Sequence, residues 1–180
     1  MKQKKKIFIL IVGTFLLAFP FHFVYDTIPS TITSIFFPVN ESIWEHMKLL
    51  FTTYLAFGAI EYPLLKHWKL NIRHELFTLW LGAILVIPIF LMMYMPLYWM
   101  IGEQMIVTFI LMFIAFTITK IIQFFIKEKM EPIKTDTTII TIILIILCYI
   151  AFGLLTYFPM KTSLFFDVEH KKYGIQTYQM

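Results

Sequence analysis

Residues 137–158 read TTIITIILIILCYIAFGLLTYF, a stretch without one charged side chain that stops at Pro159. A helix rises about 1.5 Å per residue, so about 20 apolar residues cross the ~30 Å hydrocarbon core of a bilayer. Apolar residues surround such a helix on all sides, which suits lipid and neighbouring helices rather than one wet and one dry face. Four more runs of this kind precede it, at about 7–24, 42–65, 76–98 and 105–126. Pro88 predicts a kink in the run 76–98. The expected fold is an all-α membrane protein, a bundle of about five transmembrane helices. It forms one integral membrane domain over residues 1–180, with an extracytoplasmic tail at 159–180.

Composition agrees. Hydrophobic residues make up 59% of the chain and charged residues 14%, against about 45–50% and about 25% in soluble domains. The net charge of +4 does not point to nucleic acid. The basic residues sit mainly at the ends of apolar runs, with no basic face interleaved with aromatics on which bases could stack. The partner implied is the lipid bilayer; protein partners are not indicated. The single cysteine, Cys148, lies inside an apolar run and cannot form an internal disulfide.

The first run follows Lys2, Lys4, Lys5 and Lys6, as a signal peptide would. The stretch Phe19-Pro20-Phe21-His22-Phe23 offers no small-x-small cleavage site, so the run is read as a retained span. With the N-terminus inside, the inner segments hold Lys2, Lys4, Lys5, Lys6, Lys66, Lys69, Arg73, Lys127, Lys129 and Lys134. The outer segments hold Lys48, Lys161, Lys171 and Lys172. The bias predicts an N-in, C-out arrangement. Lys120 falls within a span, where it can snorkel inward, and Glu61 is a partner within reach. The segment Thr31–Val39, TITSIFFPV, is too short to cross. It reads as re-entrant or interfacial, which requires its backbone to be satisfied by protein or water.

Ionisable residues within a membrane are costly, so each is a candidate for function. Here they gather on the predicted outer face. His22, Tyr25 and Asp26 end the first span, and Asn40, Glu41, Ser42, Glu45, His46 and Lys48 open the second. Asp167, Glu169, His170 and Tyr173 follow in the tail. His22 and Asp26 have helical i,i+4 spacing, and Glu41, Glu45 and Lys48 share a stripe. If the first two helices pack side by side, His22 and His46 face each other with carboxylates between. His22, Asp26, Glu41, Glu45 and His46 are therefore the catalytic candidates. His22, His46 and Glu41 are the metal-ligand candidates, for a divalent ion such as zinc with one position open to water. Without metal, either histidine could act as a general base oriented by a carboxylate.

A structural reading competes with this one. Ser42-x-x-Glu45 is a capping-box pattern, Asn40 is an equally good N-cap, and Glu41 suits the positive end of a helix dipole. Asp26 could pair with Lys48. The polar residues would then lock a bent loop to two helix ends.

At Asn40–Leu49, NESIWEHMKL, the chain resembles an uncharacterised family of small bacterial multi-pass membrane proteins. The resemblance rests on Asn-Glu-Ser-x-Trp-Glu-His-x-Lys-Leu, preceded by His22-x-x-Tyr25. It also rests on a C-terminal Leu164-Phe165-x-Asp167 with Tyr173-Gly174-Ile175. It implies a bacterial cytoplasmic-membrane location and this architecture, but no reaction. Two functions follow as expectations. One is an enzyme, metal-dependent or acid–base, acting on lipid or lipid-linked substrates at the outer face. The other is a non-enzymatic scaffold, accessory subunit or ligand sensor with a structural polar cluster.

Overall fold

A computed structural model describes residues 3–70, 72, 74–129 and 136–175. Lys2, Arg73 and Lys134, which enter the charge bias, lie outside these residues. The chain is almost wholly helical. Its elements are α1 (Gln3–His22), α2 (Val24–Thr27), α3 (Thr31–Phe36), α4 (Ile43–His67), α5 (Glu75–Ile101), α6 (Met105–Lys129) and α7 (Thr138–Tyr157). A 3-10 turn, Ser163–Phe165, leads into a two-stranded antiparallel hairpin, β1 (Phe166–Asp167) and β2 (Lys172–Tyr173). The hairpin was not foreseen in the tail.

The long helices fall on the five predicted runs. Four segments are long and apolar enough to cross a membrane: Gln3–Thr27, Glu75–Ile101, Met105–Lys129 and Thr138–Tyr157. α4 is not among them. It has the length, but it carries Glu45, Lys48, Glu61 and Lys66, and most of its residues are buried. It forms the centre of the bundle, packed against α1 and α5. α7 lies at the periphery, packed on α3 and α5, with Ile139, Ile143, Ile146 and Ile150 exposed. An outward isoleucine face of this kind is at home in lipid. A Cβ on Gly58 would stand 2.1 Å from Leu79 Cδ2, so glycine here lets α4 and α5 approach closely.

Glu45, Lys48 and Glu61 of α4 are paired inside the protein, while Lys66 near its end is exposed. Glu61 pairs with Lys120 of α6, as its position suggested, and both side chains are fully buried. Lys120 also lies 4.1 Å from the centre of the Tyr54 ring, and the Tyr54 hydroxyl donates to Gln123 Oε1 at 2.6 Å. Glu75 of α5 pairs with Lys127 of α6. These pairs tie α4, α5 and α6 together where unpaired charge would be most costly.

α3 occupies the predicted short segment. Ser30 caps it with a full capping box to Thr33. Its open end is closed by α4: Lys48 Nζ donates to the Ser34 carbonyl at 2.7 Å, and the Thr52 hydroxyl to the Phe36 carbonyl at 2.7 Å. The backbone of this non-spanning segment is thus satisfied by protein side chains.

Candidate functional site

α1 tightens at its end, where the Phe23 amide bonds the Pro20 carbonyl at 3.2 Å. The helix restarts as α2, so the straight i,i+4 relation of His22 to Asp26 is broken. Asp26 is exposed, and neither it nor Tyr25 lines the cavity described below. The proposed Asp26–Lys48 pair does not form, because Lys48 is wholly buried with another partner.

α4 begins at Ile43 with Ser42 as N-cap, its hydroxyl accepting from the Glu45 amide at 3.4 Å. The reciprocal half of the capping box is missing, since the Glu45 carboxylate turns elsewhere. Its Oε2 lies 2.5 Å from Lys48 Nζ and accepts from the Val39 amide at 3.2 Å. Its Oε1 accepts from the Thr156 hydroxyl at 2.8 Å, and Lys48 Nζ donates to Thr156 Oγ1 at 2.9 Å. Glu45, Lys48, Thr156 and the Ser34 carbonyl form a closed buried network joining α3, α4 and α7. Glu45 was expected in the reactive cluster, but its lone pairs are engaged in this lock.

Glu41 lies before the first helical residue, so it does not follow the α4 stripe with Glu45 and Lys48. Its side chain swings to the histidines. Glu41 Oε2 stands 3.3 Å from His22 Nε2 and 3.7 Å from His46 Nε2. The two imidazole centres are 5.8 Å apart. One donor atom from each of His22, Glu41 and His46 lies within 4.8 Å of the other two. His46 Nδ1 is 3.0 Å from the Ser42 carbonyl. A carbonyl only accepts, so Nδ1 carries the hydrogen and Nε2 of the neutral ring presents its lone pair to the group. His22 Nδ1 is buried and has no partner among the described residues. Burial alone would raise the Glu41 carboxyl, but His22, His46 and His170 outweigh it and hold it below the usual range.

The tail holds Glu41 in place. The Glu41 amide donates to Asp167 Oδ2 at 3.2 Å, and Asp167, itself fully buried, also accepts from the His170 amide and ring. Asn40 bridges further. Its Nδ2 donates to the Gly174 carbonyl at 2.9 Å, and its Oδ1 accepts from the Ser42 amide at 2.9 Å. Phe165 stacks near Trp44 with ring centres 4.9 Å apart. Tyr173 lies outside the group, packed on Phe166 and beneath Lys161. Gly174 has φ +55°, and a Cβ there would stand 2.2 Å from the Thr156 carbonyl oxygen. The two sequence motifs thus meet, 126 positions apart between Glu41 and Asp167.

The three donor residues open on a cavity of about 510 Å³ between α1, α4 and α6, roofed by the tail. Its walls are apolar, with Phe15 and Phe19 from α1 and Phe109 and Met112 from α6. Two further carboxylates line it, Glu103 of the α5–α6 loop and Glu169 of the tail. The sequence places Glu169 on the outer face but does not join it or Glu103 to the histidines, since nothing in their spacing measures a distance across the bundle. Burial, with Glu41, Asp167 and Glu169 nearby, pushes the Glu103 carboxyl up to about 6.

Fold and site define a class: an all-helical protein compatible with a membrane, with a His–Glu–His group set into an amphipathic cavity. A model for a family of unknown function, DUF6512, matches residues 1–175, and the chain belongs to that family. No curated protein and no solved structure matches it.

Proposed function

We propose that this protein is a five-span, N-in and C-out protein of the bacterial cytoplasmic membrane. In this reading His22, Glu41 and His46 bind a divalent metal such as zinc and serve a hydrolytic reaction on lipid or lipid-linked substrates. The observation that carries the reading is the mutual placement of the three donor atoms at the wall of the cavity. In a tetrahedral zinc site with bonds of about 2.0–2.1 Å, neighbouring ligand atoms stand roughly 3.3 Å apart. The distances of 3.3 and 3.7 Å are close to that edge. The His46–Ser42 bond is the kind of outer contact that orients a metal-binding imidazole. Two imidazoles and one carboxylate leave a fourth position for water, whose pKa zinc lowers to about 7. The span count and orientation rest on the five long helices and on the lysine and arginine asymmetry.

The test is zinc content and ester or amide hydrolysis of the purified protein, with His46→Ala as the comparison. Stoichiometric zinc, lost in the variant together with turnover, supports the reading. Absence of zinc with turnover that still needs His46 replaces it by metal-free acid–base chemistry, with His46 Nε2 as the base. Normal physiological function in a folded His46→Ala variant removes both. The scaffold or sensor reading then takes their place, favoured by the one observation that Glu45 and Lys48 are wholly consumed in a structural lock.

A further inference from the structure

The cavity is not symmetrical. Its deep walls are phenylalanine, leucine and methionine, while its polar lining consists of two histidines, Thr108 and the carboxylates of Glu41, Glu103 and Glu169. No lysine or arginine lines it among the described residues. Its outer wall is also incomplete. Phe23 and Met105 line the cavity and are 57% and 69% exposed. Below them the seam between α1 and α6 is closed by aromatic pairs, Phe19 with Phe109 and Phe15 with Phe113, at 5.3 and 5.2 Å between ring centres. An apolar chain can therefore reach the interior sideways, above the closed part of the seam.

We propose that the cavity takes a long-chain amphiphile with an amino headgroup, which enters between the outer ends of α1 and α6. The chain lies along Phe15, Phe19, Phe109 and Met112, and the ammonium group pairs with Glu103 and Glu169. The proposal rests on the reading of His22, Glu41 and His46 as the reacting centre, and it adds the substrate class. The chemistry selects the headgroup. Glu103 and Glu169, the two lining carboxylates that the reacting centre does not use, attract a cation in a partly desolvated pocket. The apolar walls contribute through each buried methylene, about 0.8 kcal/mol apiece.

The experiment measures binding of dodecylamine, dodecanol and dodecanoate to the full chain in neutral detergent at pH 7.5, by calorimetry, with zinc content measured in parallel. Dodecylamine is expected to bind at least about ten-fold more tightly than dodecanol. In the double variant Glu103→Gln, Glu169→Gln the amine preference disappears, so that dodecylamine binds no more tightly than dodecanol. Met105→Trp, at the exposed mouth, weakens all three, as does Ala18→Leu, which fills the interior. Equal binding of amine and alcohol, tightest binding of dodecanoate, or a preference that survives the double variant overturns the proposal. Bound zinc without headgroup preference sinks the substrate class and spares the metal centre. A headgroup preference without zinc or turnover does the reverse.

Discussion

His46 Nδ1 donates to the carbonyl of Ser42, one turn back along α4, at 3.0 Å. That single bond fixes the ring's plane and its tautomer, and it aims Nε2 at Glu41 and His22. His46→Ala is expected to weaken zinc binding by more than the ~10–100-fold that loss of an outer-shell partner costs. His46→Gln, which keeps the volume, should fare no better. Competition with a chromogenic chelator measures both, and unchanged zinc affinity in either variant would falsify the ligand role.

Glu103 supplies a pH signature. Its folded pKa, about 6, lies above the ordinary 4.5, so its charged form is disfavoured in the fold. Its contribution to stability is therefore complete below about pH 4.5 and is lost as pH rises through 6. Glu103→Gln should leave the melting temperature unchanged at pH 4 and raise it at pH 7.5. A variant less stable than wild type at pH 7.5 would show that the carboxylate has a favourable partner instead.

The Glu45–Lys48 lock predicts an asymmetry between single and double replacement. Lys48→Met strands the Glu45 carboxylate inside the protein, and breaking such a pair costs about 3–5 kcal/mol. Replacing both residues, Glu45→Leu with Lys48→Met, should recover most of that loss, because no buried charge remains. Thermal unfolding in detergent reads both. Equal losses in single and double variants would show that the carbonyl and hydroxyl contacts, not the charges, carry the energy.

Gly174→Ala tests how the tail holds the site. The substitution places a Cβ against the Thr156 carbonyl and asks alanine to adopt φ +55°. A strain of about 1–3 kcal/mol is expected, enough to release the hairpin and with it the Asn40–Gly174 and Glu41–Asp167 bonds. Limited proteolysis should then cut the chain after Pro159, and zinc affinity should fall without any change to a ligand. A tail as resistant as wild type would refute the linkage.

The helices were legible because long, nearly uncharged apolar runs of about 20 residues point to helix. The runs at 76–98 and 105–126 became α5 and α6 with ends extended by a few residues. The His22–Glu41–His46 juxtaposition was also expected, since side-by-side packing of the first two helices sets His22 against His46. What failed was finer. Helical spacing assigned Asp26 and Glu45 to the same cluster, but the break at Phe23 turned Asp26 outward, and Glu45 was captured by Thr156 of α7. The second event has no local sequence signal, and the first has only Pro20. The first is a tightening of backbone after Pro20; the second depends on a threonine 111 positions away. Glu103 and Glu169 were missed as cavity residues for the same reason.

The pairing of Glu61 with Lys120 also has a consequence during synthesis. The glutamate emerges from the ribosome 59 residues before its partner, roughly 3–12 s at about 5–20 residues per second. Through that interval α4 holds a carboxylate that lipid will not accept. On the five-span reading proposed above, α4 is therefore expected to settle in the membrane only once α6 is made. On that reading assembly is expected to be sequential in translation but concerted in its last step, with α4 drawn inward by a helix that does not yet exist when α4 is finished.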